Sequence, residues 1–390
     1  MEMLNKELNY NTEPWGIPFW SRLKKIIDTK KKKVVYIYEQ ADTSTFRYRV
    51  YNTYQALSYS DSWSASFFFQ DELSLLKKYL DNVDVVIFCR TRWSFEIGDF
   101  FNEVKRKSIH TLFDIDDLVF DIESVPLVMN TLNVDFDHPE SYSHWFSYSS
   151  RLWLMGKMCD GVIGTNKFLE ERLAKVFDKP TFVINNFLNN EQIRISNELY
   201  AKKKTRKGKF KIGYFSGSPS HINDFKKIAG EIGAVLEKYP DIILEVVGFM
   251  EFPESLKIYE ERGQIMHSPL VDFLTLQKKI SEADVNIITL VENEFTNCKS
   301  ELKFFEAAIV GTVTCAVPTY VYKENIKDGH NGFLCKDGDW FSVLEKIYKN
   351  KIDPQITERA RNYCLDKYSP KNQKQNIEKM LDGLMEMRLK

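Results

Sequence analysis

Between Thr296 and Pro318 the chain reads Thr-Asn-Cys-Lys-Ser-Glu-Leu-Lys-Phe-Phe-Glu-Ala-Ala-Ile-Val-Gly-Thr-Val-Thr-Cys-Ala-Val-Pro, and its charged side chains are spaced for anion chemistry. The pattern predicts a helix of about three turns with Asn297 as N-cap and Gly311 at its C-terminal stop. At about 100° per residue, Lys299, Lys303 and Glu306 then share one sector of that helix. Ammonium groups near a helix N-terminus add to the partial positive charge already there, which suits a phosphate. A carboxylate further along can accept hydrogen bonds from sugar hydroxyls. The segment therefore predicts a cradle for the diphosphate and ribose of a nucleotide. The same spacing also fits a solvated helix face with a Lys303–Glu306 ion pair.

Further candidates lie beyond apolar runs. Asp114, Asp116 and Asp117 follow the run Thr111-Leu-Phe113. Carboxylates crowd in this way only where something positive or hydrogen-donating sits among them. They could bind acceptor hydroxyls or take the proton of an attacking hydroxyl, and oxygen ligands would also suit magnesium; a helix-capping cluster is the other reading. Arg47, Arg49 and Arg92 also follow strand-like runs and are candidate contacts to an anionic donor or acceptor, unless a neighbouring carboxylate takes them. Ser216, Gly217 and Ser218 open a small-residue loop whose N–H groups could face a phosphate, although it lacks the spacing of the known phosphate-binding glycine motifs.

The elements that must position these residues repeat one unit: a β-branched or aromatic run, a polar loop, then a helical period. Strand-like runs fall at 34–38, 66–69, 83–89, 111–113, 161–164 and 181–184, and again at 210–215, 242–248, 264–267, 284–289 and just before Pro318. Strands alternating with helices predict an α/β chain with parallel sheets and ligands beyond the strand ends. The boundaries expected are a first Rossmann-like domain over 1–190, a linker over 191–208, a second such domain over 209–368 and a C-terminal helix over 369–390. The stretch 200–209 is basic, glycine-broken and poor in apolar residues, as a hinge would be. Residues 121–150 are aromatic-rich without a period and read as an acceptor-side insertion or a helix pair. Residues 12–33 hold Trp15 and, from Phe19, a helical period that carries Trp20 and ends in Lys30–Lys33, which fits either a helix packed on its own domain or one docked on an anionic membrane face.

A length of 390 residues favours two domains, and 54 basic against 55 acidic residues gives no support to general nucleic-acid binding. The six cysteines are scattered, with neither zinc spacing nor a disulfide framework. No apolar run is long enough for a signal peptide or a membrane span, so the expected location is cytoplasmic, at most on the inner membrane face.

The run Lys299-Ser-x-x-Lys303-Phe-x-Glu306-x4-Gly311 resembles the donor-binding helix of glycosyltransferases with two Rossmann-like domains, the GT-B fold. It is most similar to the retaining bacterial enzymes of glycosyltransferase family four. There the helix carries a Glu-x7-Glu signature, with the second Glu on the donor ribose and the first near the transferred sugar. Glu306 matches the second position, whereas the first falls on Cys298; Asn297, Lys299 and Glu301 are the neighbours that could take its role.

The resemblance implies donor contacts from Ser216, Gly217, Ser218, Asn297, Lys299, Ser300, Lys303 and Glu306, with Leu270 against the nucleobase. It also implies that the terminal helix crosses back to the first domain, that no metal or other cofactor is needed, and that the acceptor is a glycan, a lipid-linked sugar or a protein. The activity implied is retaining sugar transfer from a nucleoside diphosphate sugar, in bacterial surface polysaccharide or glycoconjugate synthesis. The alternatives are a non-catalytic subunit that binds a glycan or a partner enzyme, and a nucleotide-sugar epimerase.

Overall fold

Runs of Val, Ile, Phe and Tyr without polar alternation suit strands buried on both faces, and such runs make up most of the parallel sheets here. The computed structural model describes residues 11–41, 44–134, 138–203, 208–217 and 222–387. The first sheet contains β1 (Lys32–Tyr38), β2 (Trp63–Phe69), β3 (Val85–Cys89), β4 (His110–Asp114), β5 (Gly161–Gly164) and β6 (Thr181–Val183), in the order β2-β1-β3-β4-β5-β6. The second contains β7 (Lys211–Ser216), β8 (Ile243–Gly248), β9 (Ile265–Ser268), β10 (Val285–Ile288), β11 (Val313–Ala316) and β12 (Phe333–Leu334), in the order β12-β11-β10-β7-β8-β9. Every pairing in both sheets is parallel, and helices supply the crossovers.

Strand order reverses at β1/β3 in the first sheet and at β7/β10 in the second. The crevice outside such a reversal is where open α/β sheets take ligands. The segments leaving β1 and β3 carry Arg47 and Arg90, and the segment leaving β7 carries Gly217.

Two expectations are corrected, and the helix-pair reading of residues 121–150 is met. The polar stretch expected as a linker is largely a helix, Asn190–Lys203. It packs on the Phe273–Glu282 helix, where Gln277 donates to Ser196 Oγ at 2.9 Å, and Lys203 donates to Ala283 O and Thr312 Oγ1 at 2.6 Å. Tertiary packing overrides its polar composition; of the hinge expected at 200–209, residues 204–207 lie outside the described set. The aromatic region resolves as two helices, Val125–Thr131 and Pro139–Met158. The helix expected to bind the donor is shorter than the spacing predicts, running from Leu302 to Ile309. Gly311 does follow it at φ +73, and a Cβ there would lie 2.7 Å from the Tyr200 ring.

The C-terminal helix, Pro370–Met387, lies against the first sheet's unit. Its Asp382 accepts from Lys32 Nζ at 2.7 Å and from Trp63 Nε1 at 3.0 Å. One apolar cluster spans both units, joining Tyr48, Trp63 and Phe187 to Phe273, Phe305, Tyr368 and Leu381.

Candidate active site

The segment Asn293–Glu306 lies on the seam between the two units. Asn293 and Thr296 form a reciprocal cap, which closes a short turn, Glu294–Asn297, ahead of the main helix. Asn297 is therefore not the cap of that helix: its Oδ1 accepts from Tyr320 N at 2.8 Å and caps the Tyr320–Asn325 helix instead. Lys299 and Ser300 sit in the connection, which the first unit holds. Asn166 Nδ2 donates to the carbonyls of Cys298 (2.9 Å) and Lys299 (3.2 Å), and Asn186 Nδ2 donates to Ser300 Oγ at 2.8 Å. Asn297 and Ser300 thus serve the architecture of the seam.

Cys298, at the place of the family's first Glu, is fully buried and packs with Phe295 into the first sheet's apolar cluster. Among its neighbours, Glu301 is buried and accepts from Tyr368 Oη at 2.6 Å, with burial raising its pKa. Lys299 faces an opposing strand end instead, its Nζ 3.4 Å from Asp117 Oδ1 and 4.4 Å from the Phe295 ring centroid.

Lys303, in the first turn of the helix, is half-buried. Among the described residues its ammonium has no hydrogen-bond acceptor and no carboxylate at ion-pair distance; the Tyr214 ring centroid lies 5.7 Å away. Burial pulls its pKa down to about 8, aided by Lys299 and opposed by the fields of Asp224 and Glu306. The Lys303–Glu306 ion pair that a solvated face would show is absent among the described residues. Glu306 is 4% exposed and faces the first unit instead. Tyr48 Oη donates to its Oε1, and Arg47 Nη2 lies 3.9 Å from that oxygen. Burial pushes the Glu306 carboxyl up, while Arg47, Tyr48 and Lys303 pull it back.

The acidic block divides. Asp114 forms a buried two-pronged pair with Arg49, at 2.9 and 3.0 Å, and Arg49 also donates to Ile184 O (2.6 Å) and Asn186 Oδ1 (3.1 Å). Both residues, expected at the site, are structural, because their polar atoms are satisfied inside the protein. Asp116 accepts from Arg90 Nη1 at 2.8 Å and from Thr45 Oγ1 at 3.0 Å, and Asp117 lies 3.8 Å from Arg90. For Asp116, burial raises the pKa but Arg90, Arg49 and Thr45 outweigh it, leaving a lowered value. Arg90 is the positive group that the crowded carboxylates require, and the reading from spacing singled out Arg92 in its place. Arg92 instead pairs with Glu39 (2.6 Å) over the Tyr148 ring. Arg90 also donates to Tyr148 Oη at 3.1 Å and sits at φ 45, a left-handed backbone uncommon for a non-glycine residue. No sequence signal marks that angle.

Of the small-residue loop, Ser216 is buried and its carbonyl accepts from Phe249 N at 3.2 Å. Gly217 is exposed, and Ser218 lies outside the described residues. Gly248, at φ +104, passes so close that a Cβ would come within 1.8 Å of Ser216 O. Leu270, 52% exposed, borders an open depression of about 560 Å³ with Gly248, Phe249, Met250 and His267.

No family model matches the sequence, and no curated protein does. Solved structures do. Sucrose-phosphate synthase from Thermosynechococcus elongatus is 13% identical over 92% of this chain and 100% of its own, with a TM-score of 0.60. Anabaena HepE in complex with UDP is 11% identical over 90% of this chain and 100% of its own, with a TM-score of 0.59. A glycosyltransferase from Rickettsia africae is 12% identical over 92% of this chain and 99% of its own, with a TM-score of 0.57. Paired six-stranded parallel sheets, matched over nearly the whole chain, give this protein the GT-B fold.

Proposed function

We propose that this chain is a glycosyltransferase that moves a sugar from a nucleoside diphosphate sugar to a hydroxyl acceptor, in bacterial surface polysaccharide or glycoconjugate synthesis. The observation that carries this reading is Lys303: a half-buried ammonium in the first turn of a helix, without a carboxylate partner among the described residues, beside a buried carboxylate. A diphosphate would supply the missing negative charge, and its own charge grows as the glycosidic bond breaks, so Lys303 stabilises the departing group. Lys299 supports it from the connection, Glu306 takes the ribose, and the depression at Leu270 takes the base.

Asp116 and Asp117 handle the acceptor. Asp117, held less closely than Asp116, is the better placed to receive the hydroxyl proton. Retention of anomeric configuration belongs to the same reading, supported by the match of Glu306 to the family pattern. HepE, similar in fold, has been solved with UDP-glucose. The exposed basic face of the first helix supports contact with an anionic membrane surface, where a lipid-linked acceptor would lie.

Melting curves with and without UDP or GDP test the donor site. The wild type should be stabilised, and Lys303→Ala and Glu306→Ala should each lose most of that shift. Unchanged nucleotide binding in both variants would sink the assignment. The burial of Cys298 favours one rival, a subunit that binds a glycan or partner but does not turn over. It predicts nucleotide or glycan binding with no acceptor-dependent nucleotide release. An epimerase would release nucleotide, or interconvert its sugar, regardless of the acceptor.

A further inference from the structure

The strongest feature outside this scheme is the way the first unit occupies Glu306. Tyr48, 1% exposed, donates its phenol hydroxyl to Glu306 Oε1 and receives a 3.4 Å hydrogen bond from Gln192 Nε2. The other Glu306 oxygen accepts no hydrogen bond among the described residues. Arg47, the preceding residue, is 4% exposed and holds its guanidinium 4.7 Å from the centroids of both the Tyr48 and the Phe273 rings. Its Nε is buried without a partner, and its one carboxylate, Glu306, stands at 3.9 Å. Both residues lie in a π-helical stretch, Phe46–Tyr51, a geometry common at functional sites.

We propose that the Tyr48 hydroxyl holds, on Glu306, the place of a ribose hydroxyl, and that a ribonucleoside diphosphate enters by exchanging its cis-diol for that phenol. The proposal rests on the reading of Glu306 as the ribose-binding carboxylate. A phenol and a sugar hydroxyl make the same charge-assisted bond to a carboxylate. Without any donor, a carboxylate this buried would be left uncompensated. Tyr48 therefore keeps the site charged and formed before the nucleotide arrives, and the exchange conserves the hydrogen bond. Arg47 gives up no hydrogen bond to a described residue in this movement, but it does give up its 3.9 Å ion pair with Glu306, a loss that the charge of the incoming diphosphate offsets. Once displaced from Glu306, it is a free cation beside the incoming diphosphate. Donor binding is thus coupled to movement of the first unit's β1 segment, and the class of donor is restricted to nucleotides that keep both ribose hydroxyls.

Calorimetric titration of wild type and Tyr48→Phe with UDP, GDP, dTDP and 2′,3′-dideoxy-UDP tests this. Tyr48→Phe should melt lower without ligand, because a buried hydrogen bond is lost. It should nevertheless bind UDP or GDP roughly three- to tenfold tighter, because its competitor is gone. That gain should vanish with the dideoxy nucleotide. In wild type, which needs no variant to fold, the dideoxy nucleotide should bind at least about tenfold more weakly than UDP. Equal or weaker ribonucleotide binding by Tyr48→Phe, a gain that survives loss of the diol, or dTDP binding as tight as UDP and GDP overturns the exchange while leaving the donor site standing. Absence of binding by all four nucleotides in wild type overturns both.

Discussion

Lys303 carries a charge that its surroundings disfavour, and pH exposes it. Its pKa falls from 10.5 to about 8 on folding, so between those values the folded protein binds fewer protons than the unfolded chain. Stability contributed by this group therefore rises with pH across that window, as the burden of the buried ammonium is relieved. Nucleotide binding has the opposite sign, since a diphosphate needs the protonated form. UDP affinity should fall as pH climbs through about 8, by up to roughly tenfold per unit, and binding at pH 8.5 should take up part of a proton. Calorimetry in buffers of different ionisation enthalpy measures that uptake. Lys303→Met should abolish it, and proton release on binding would contradict the scheme. At this scale the sequence showed which types of side chain gather, but not their partners. Arg49 and Asp114 read as functional and are structural, while Arg90 and Tyr48 were not singled out, because partner choice depends on residues far away in sequence.

The elements show how local signals were reset by packing. The helix Phe19–Ile27 follows Pro18 and buries Leu23 and Ile26, as its period predicts. Arg22 is buried with them, pairing with Glu72 at 2.9 Å and donating to Phe67 O and Ile17 O at 2.7 Å. The outward face keeps Trp20 (56% exposed) and Ile27 (40%), with Lys24, Lys25 and Lys30 exposed around them. The packing reading holds for one face, while the other is basic with apolar residues that have stayed outside, the surface for which we propose membrane contact. Each lysine near an anionic surface contributes about 1 kcal/mol. The protein should cosediment with vesicles containing anionic lipid and not with purely zwitterionic ones. A Trp20→Ser, Lys24→Glu, Lys25→Glu variant should lose this while keeping its nucleotide-induced melting shift. Equal partition of the variant and the wild type would rule out the surface.

At the scale of the molecule, the C-terminal helix ties the second unit back to the first. Ile377, Leu381 and Leu384 are buried in the apolar cluster that both units share, and Asp382 bonds Lys32 and Trp63. Leu381→Ala should cost roughly 2–5 kcal/mol, since a buried leucine here leaves a cavity between elements from distant parts of the chain. Chemical denaturation measures it, and a change below about 0.5 kcal/mol would mean that the helix is not docked as described. Elsewhere on the seam Phe295 and Cys298 pack into the first sheet's core, and Asn166, Asn186 and Arg172 of the first unit bond Cys298 O, Ser300 and Glu294 of the second.

The sequence alone determined the class of fold, because β-branched runs at strand length, interleaved with helical periods, leave buried parallel sheets as the solution that covers both faces. It also determined that Lys299, Lys303 and Glu306 fall close together, since short-range spacing survives a late helix start. Only the tertiary structure decided what those residues face. Asp117 reaches them from the segment after β4, and Arg47 and Tyr48 from the π-helical stretch after β1, all more than 180 residues away. Such contacts depend on how one sheet's loops are docked against another's, and no local period or propensity encodes that.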